Sequence, residues 1–478
     1  MCKYTDENAG LPRSKQAKNR IGRVDMGRLF GTDGVRGVAN IDLDIHLALK
    51  IGLATGTVIR EQKGSAPEIV IGKDTRLSSD MLDSAIVAGL CAAGACVRVL
   101  GVVPTPAVAF VTEKSDADAG IMISASHNPF QDNGIKIFNG QGYKLSDELE
   151  AKIEDMVLGE TPMPLMTHDN IGSVLRKNKD WMEKYIDHLA NAAEHEISGR
   201  KVFLDCANGS AVRTASALFT RFKLDLEIIK DHPNGTNINE GCGSTDVSFL
   251  SRAVVSGGYD IGIAFDGDAD RIIIVDEKGN VIDGDKIMGV CALAMQPSGK
   301  LKHNTIVATV MSNLGFHEFA KNHGISLICT NVGDRNVLEK MIEGDYAIGG
   351  EQSGHIIFRE HATAGDGQLA AIQFLSTLCA SGKTVSELCS VIPTYPQVLI
   401  NVQIEGGNPA KEAVMASDLL QKAIQDAEQT LGDTGRVLVR PSGTEPKIRV
   451  MVEAAEESIA QNMAEELANV IKSMVHFG

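Results

Sequence analysis

Short apolar runs alternate with longer stretches of helical period along most of this chain. Residues 68–71 are such a run, ending in Gly72-Lys73-Asp74-Thr75-Arg76. The spacing predicts a helix over 79–93, a strand over 97–103 that stops at Pro104-Thr105-Pro106, and a strand over 121–123. This is the β-α-β rhythm of a mostly parallel, helix-covered sheet.

The rhythm restarts twice. Strands are expected at 201–205 before Cys206-Ala207-Asn208-Gly209, at 261–265 before an acidic loop, at 304–311 before Ser312-Asn313, and at 326–329 before Thr330-Asn331-Val332-Gly333-Asp334-Arg335. Three α/β units in series follow from this, although identity between them is too weak to prove a repeat. After residue 396 the order becomes strand (398–404), helix (410–428), two strands (436–440 and 447–452) and a last helix (459–474) with Ser458 as N-cap. That is a small α+β domain. The expected division is 1–28 as a disordered tail, then domains at 29–178, 179–280, 281–393 and 394–478. Met26 offers an alternative translation start just before the first structured segment.

A length of 478 residues suits several cores rather than one. The formal net charge of −16 argues against a general nucleic-acid binder, yet a local basic cluster can still hold an anionic ligand. No apolar run approaches a membrane span. Nine cysteines without a C-x-x-C pair read as reduced thiols of a cytosolic, cytoplasmic protein.

Five loops carry candidate chemistry. Ser124-Ala125-Ser126-His127-Asn128-Pro129 follows a buried-looking strand, at the sheet edge where ligands bind in open α/β folds. Ser126 and His127 are a candidate nucleophile and base, with Lys136 close behind; a plain polar turn is the alternative. In Asp266-Gly267-Asp268-Ala269-Asp270-Arg271, three carboxylates at alternate positions can converge on Mg²⁺ or Ca²⁺. An EF-hand is rejected: Arg271 stands where the glycine belongs, and the flanks read as strands. Gly349-Gly350-Glu351-Gln352-Ser353-Gly354-His355 suits sugar hydroxyls or a simple hairpin. Arg440-Pro441-Ser442-Gly443-Thr444-Glu445-Pro446, with Arg449 beyond, suits phosphate or a hairpin with incidental charge. Gly31-Thr32-Asp33-Gly34-Val35-Arg36-Gly37 lets the backbone approach a ligand beside an arginine.

Taken together and in this order, the loops resemble those of the α-D-phosphohexomutase superfamily over residues 29 to 478. The resemblance implies four domains around a cleft, three of them related α/β units and the fourth a smaller C-terminal α+β domain, each giving one loop to the site. It implies a phosphoserine at Ser126 and Mg²⁺ held by Asp266, Asp268, Asp270 and the Ser126 phosphate. His127, Lys136 and Arg36 would assist transfer. Arg271, Asp334, Arg335, Glu351, Ser353 and His355 would contact substrate. Arg440, Ser442, Gly443, Thr444 and Arg449 would bind the phosphate that is not reacting. Leu29–Gly37, the serine loop and Gln352, where other branches typically have Met, look like the branch acting on glucosamine phosphates. The implied reaction interconverts glucosamine 6-phosphate and glucosamine 1-phosphate through a 1,6-bisphosphate sugar, feeding UDP-N-acetylglucosamine and cell-wall precursors. The implied partner is a small sugar phosphate, and a homodimer is compatible with the family. A phosphomannomutase/phosphoglucomutase is the nearest rival, and a phosphatase with Asp266 as nucleophile a more distant one.

Overall fold

Three of the four sheets are built by one repeated move, in which a parallel strand turns through a loop into an antiparallel neighbour. In the first, Glu68–Lys73 lies parallel between Cys96–Val102 and Ala119–Ile123. Ala119–Ile123 then turns through residues 124–131 into antiparallel Asp132–Asn139. Val35–Val38 and Val174–Leu175 add the two edges. In the second, Ser198–Asp205 lies parallel between Lys223–Ile229 and Ile261–Phe265. Ile261–Phe265 turns through residues 266–271 into Ile272–Asp276, beyond which Val281–Ile282 forms the edge. In the third, Thr305–Thr309 lies parallel between Ser326–Thr330 and Ile348–Gly350. Ile348–Gly350 turns through residues 351–355 into Ile356–Phe358. The repeat that sequence identity could not prove is therefore plain in the strand order. The computed structural model describes residues 29–31, 33–159, 163–176, 179–442 and 446–475. The expected tail, residues 1–28, lies outside them.

Composition explains the layering. Ala119–Ile123 and Ile261–Phe265 are buried at every position, as strands covered on both faces must be. Asp44, Asp283, Asn313 and Asp366 each accept a hydrogen bond from a backbone N–H in the first turn of the helix that follows, satisfying donors the helix leaves orphaned. One apolar cluster runs through all three α/β units, with Val70, Phe138, Phe265, Phe316 and Ile356 among its members. Such continuity fixes the three sheets against one another. Among the described residues no helix is long and apolar enough to cross a membrane.

The fourth unit has its own core, in which Ile448, Val450 and Val452 meet Leu467 and Ile471. Its sheet is antiparallel, with Lys447–Ala454 between Gln397–Gln403 and Gly435–Pro441. Two expectations fail here. The helix expected over 410–428 is two helices, Gly407–Met415 and Asp418–Leu431, because Ser417 turns extended and Asp418 opens a new first turn. Ser458 is no cap. The last helix, Glu457–Val475, starts before it, and the Ile459 and Ala460 N–H groups bond the Glu456 carbonyl.

A buried ion pair fastens the fourth unit to the third. Glu453 is inaccessible to solvent. It accepts hydrogen bonds from Arg436 Nε at 3.1 Å, Leu314 N at 2.9 Å and Asn313 Nδ2 at 3.3 Å. Arg436 Nη2 in turn donates to the Ser312 carbonyl at 2.7 Å. Arg436→Met leaves that carboxylate with its two neutral donors and no cation, so it should lower stability by about 2 kcal/mol. Urea unfolding followed by circular dichroism measures this.

Candidate functional site

The turn at residues 266–271 is buried instead of solvated. Asp266 and Asp268 are inaccessible, and Asp270 is 6% exposed. One oxygen from each lies within 4.8 Å of the others. Burial, followed by repulsion from Asp270 and Asp268, pushes the Asp266 carboxyl well above the usual carboxylate range. For Asp270 the same burial is outweighed by Lys136, His355 and Arg271, which hold it well below that range. Asp268 Oδ1 and Asp270 Oδ1 are buried and have no hydrogen-bond partner. Stranded anionic oxygens are costly, and hard oxygen donors suit a divalent cation. The donor set therefore fits a metal ion held by Asp266, Asp268 and Asp270.

The serine loop meets this turn directly. Ser126 is 1% exposed, and its Oγ donates to Asp266 Oδ2 at 2.6 Å. Its φ of 53° lies in the left-handed region, which a non-glycine residue holds only when its surroundings enforce it. Here they do. The Ser126 carbonyl accepts from Arg76 Nη2 and from Asn239 Nδ2, each at 2.9 Å. Gly267 permits the approach, since a Cβ there would lie 2.6 Å from that same carbonyl oxygen. Arg76 also bonds the Pro129 and Asn128 carbonyls and forms a fully buried pair with Asp74 at 2.8 Å. Asp74 accepts from Ser124 Oγ at 2.7 Å. Sequence reasoning noted the loop holding Asp74 and Arg76 but gave it no role; its place at a strand's C-terminal end was the available signal.

Lys136 sits on Asp132–Asn139, a strand paired on both sides. That strand aims Nζ at Asp268 Oδ2 (2.9 Å), Asp270 Oδ2 (3.3 Å) and Asp33 Oδ2 (3.5 Å). Burial opposes its charge, but Asp268, Asp33 and Asp270 outweigh burial and hold the ammonium well above its usual pKa. Arg36 pairs with Asp33 and donates to the Ala125 carbonyl at 3.4 Å. His127 Nδ1 lies 3.4 Å from Ser126 Oγ and 3.3 Å from Arg271 Nη1. Burial, then Arg271 and Arg36, lowers its pKa to about 4. The ring is neutral near pH 7.

The third unit brings residues 351–355 against this cluster. Gly354 has a φ of +93°, and a Cβ there would lie 1.9 Å from the Ile272 carbonyl oxygen. Only glycine lets the two hairpin turns meet. His355 Nδ1 is 3.7 Å from Asp270 Oδ2, and Nε2 is 3.8 Å from Asp334 Oδ2. Burial would lower its pKa, but Asp270, Asp334 and Glu351 raise it to about 9. Glu351 accepts from Gly333 N at 3.0 Å, and Ser353 is exposed beside it. Arg335 is engaged elsewhere: it pairs with Asp147 and Glu150 and bonds the Leu145 carbonyl, all in the first unit. A cavity of about 450 Å³ opens between the first and third units, with Lys136, Asp270, Asp334, Arg335 and His355 among its walls.

In the fourth unit Arg440 and Arg449 stand directly opposite on paired strands. Like charges so placed repel and favour an anion between them. Burial and then Arg449 lower the Arg440 pKa, with Glu351 of the third unit pulling the other way. Ser442 is buried next to Arg440. Gly443 and Thr444 lie outside the described residues.

Comparison with known proteins matches each of the four units to a known domain family. Models of the phosphoglucomutase/phosphomannomutase alpha/beta/alpha domains I, II and III match residues 27–162, 183–279 and 283–395. The model of the C-terminal domain matches residues 399–470. The chain belongs to the phosphoglucomutase/phosphomannomutase family. Within that family, the phosphoglucosamine mutase of Acetivibrio thermocellus is 47% identical over 448 residues, covering 94% of this chain and 99% of that protein. The phosphoglucosamine mutase of Rhodococcus erythropolis is 49% identical over 450 residues, covering 94% and 100%. A phosphoglucomutase/phosphomannomutase family protein of Burkholderia thailandensis shares the fold with a TM-score of 0.77 at 23% identity, covering 92% and 97%. The N-acetylphosphoglucosamine mutase of Aspergillus fumigatus, solved with GlcNAc-6P and magnesium, does so with a TM-score of 0.69 at 19% identity, covering 93% and 96%.

His127 should behave unlike an ordinary imidazole. Its pKa of about 4 keeps it neutral between about pH 5.5 and 8, so it should not titrate there. Histidine NMR, assigned with His127→Gln, checks this.

Proposed function

We propose that this chain interconverts glucosamine 6-phosphate and glucosamine 1-phosphate through a phosphorylated Ser126. The observation that carries the reading is the Ser126 hydroxyl, held 2.6 Å from Asp266 inside a buried carboxylate cluster with two stranded oxygens. The amino-sugar substrate is favoured by near-half identity, over nearly whole lengths, to proteins named phosphoglucosamine mutase. We place the reaction in the cytoplasm.

Asp266, Asp268 and Asp270, with an oxygen of the Ser126 phosphate, would hold Mg²⁺, whose charge would offset that of the phosphoserine. The remaining chemistry is positioning and charge stabilisation. In the first half-reaction the P–Oγ bond of phosphoserine breaks, and a bond forms from phosphorus to the free sugar hydroxyl. His127 and Lys136 are the neighbours assigned to move the proton from the sugar hydroxyl to Ser126 Oγ. Arg36 and Arg271 stabilise the moving phosphoryl oxygens. The resulting bisphosphate turns end over end. The second half-reaction then runs the same steps backwards from the other phosphate. Arg440, Ser442, Gly443, Thr444 and Arg449 hold whichever phosphate is not reacting, and Glu351, Ser353 and His355 hold sugar hydroxyls. Asp334 and Arg335 act from the cavity wall beside them.

Purified protein given glucosamine 6-phosphate, Mg²⁺ and a trace of sugar bisphosphate should make glucosamine 1-phosphate, with glucose 1-phosphate turned over more slowly. Ser126→Ala should lower kcat by about 1,000-fold or more. Preference for glucose or mannose phosphates would move the substrate to the phosphomannomutase/phosphoglucomutase reading. Full activity of Ser126→Ala, or release of free phosphate alone, would sink the phosphoserine mechanism.

A further inference from the structure

Lys144 belongs to none of the five sequence loops, yet it lies at a junction of the site. Its Nζ is 2.7 Å from Asp33 Oδ1 and 2.8 Å from Asp334. Asp33 is the partner of Arg36 and lies 3.5 Å from Lys136 Nζ. Asp334 lies 3.8 Å from His355, which lies 3.7 Å from Asp270, which lies 3.3 Å from Lys136. The contacts close on themselves. Lys136, Asp33, Lys144, Asp334, His355 and Asp270 form a ring drawn from all three α/β units.

We propose that Lys144 closes this ring and is a positioning residue, fixing Arg36 through Asp33 and the 330–335 loop through Asp334. Every other link joins residues that already sit beside the metal cluster or the sugar loop. The link through Lys144 ties the 31–37 loop of the first unit to the 330–335 loop of the third. Its side chain is 15% exposed, and those of Asp33 and Asp334 are 29% and 23% exposed. Without that charge, the two carboxylates face each other across one gap and their repulsion pushes the two loops apart. Separation pulls Arg36 away from the Ala125 carbonyl on the serine loop. A misplacement of that kind falls on the transferring phosphoryl group more than on substrate affinity.

Taking the chain as a mutase, as proposed above, steady-state kinetics of Lys144→Met should show kcat down by about 100-fold with KM nearly unchanged. Lys144→Arg, which can bridge the same two carboxylates, should keep most of the activity. Hydrogen exchange, which needs no turnover, should quicken in both 33–36 and 331–335 in Lys144→Met. Lys144→Gln takes its place if Lys144→Met lacks the circular-dichroism spectrum of the unaltered protein. An unchanged kcat, or exchange unaltered in either loop, overturns the proposal. If the unaltered protein turns over no sugar phosphate, the mutase reading fails, and the exchange comparison still decides the role of Lys144.

Discussion

Three carboxylates share one buried turn with their oxygens within 4.8 Å of one another, and at that spacing they cannot all stay charged without something positive among them. Much of the surrounding structure answers this constraint. Lys136 is brought in on a central strand to touch Asp268 and Asp270. Thr105 Oγ1 donates to Asp268 Oδ2 at 2.6 Å, and Ser126 Oγ donates to Asp266. Two oxygens still lack a partner. The turn is thus a socket for positive charge, and the serine that borders it is placed where a phosphate would share that charge.

The repeated strand order explains how distant segments reach the socket. In each α/β unit one loop joins a parallel strand to its antiparallel return, and these are the serine loop, the aspartate turn and the Glu351 loop. Equivalent topology puts equivalent loops at equivalent edges, and the shared core holds those edges together. Glycines at 267 and 354 then allow backbone to meet backbone where the loops converge. The fourth unit, with its separate core, is attached through the Arg436–Glu453 pair and can present Arg440 and Arg449 from another side.

The sequence was most readable where chemistry is local. The aspartate turn was legible because three carboxylates within five residues, flanked by apolar strands, repel one another unless a cation joins them. Strands such as Ile261–Phe265 were plain from their apolar runs. Contacts made across units were not readable. Nothing near Lys144 in sequence signals that it reaches Asp33 and Asp334, and the place of Arg76 after a strand marks a ligand edge without naming Ser126 as what it clamps. The split of the expected 410–428 helix was missed because propensity over the whole segment outweighed one Ser-Asp pair that can start a new helix. The start of the last helix ahead of Ser458 shows the same competition, with Glu457 as good a first-turn residue as serine is a cap.

The central claim is that Ser126 carries a phosphoryl group between the two ends of one sugar. Incubating the unphosphorylated protein with the sugar 1,6-bisphosphate and Mg²⁺, then sequencing its peptides by mass spectrometry, tests that claim most directly. One phosphoryl group on Ser126, with sugar monophosphate released in equal amount, is the predicted result. A phosphoryl group found on Asp266, or none on Ser126 while sugar phosphates still interconvert, would contradict it.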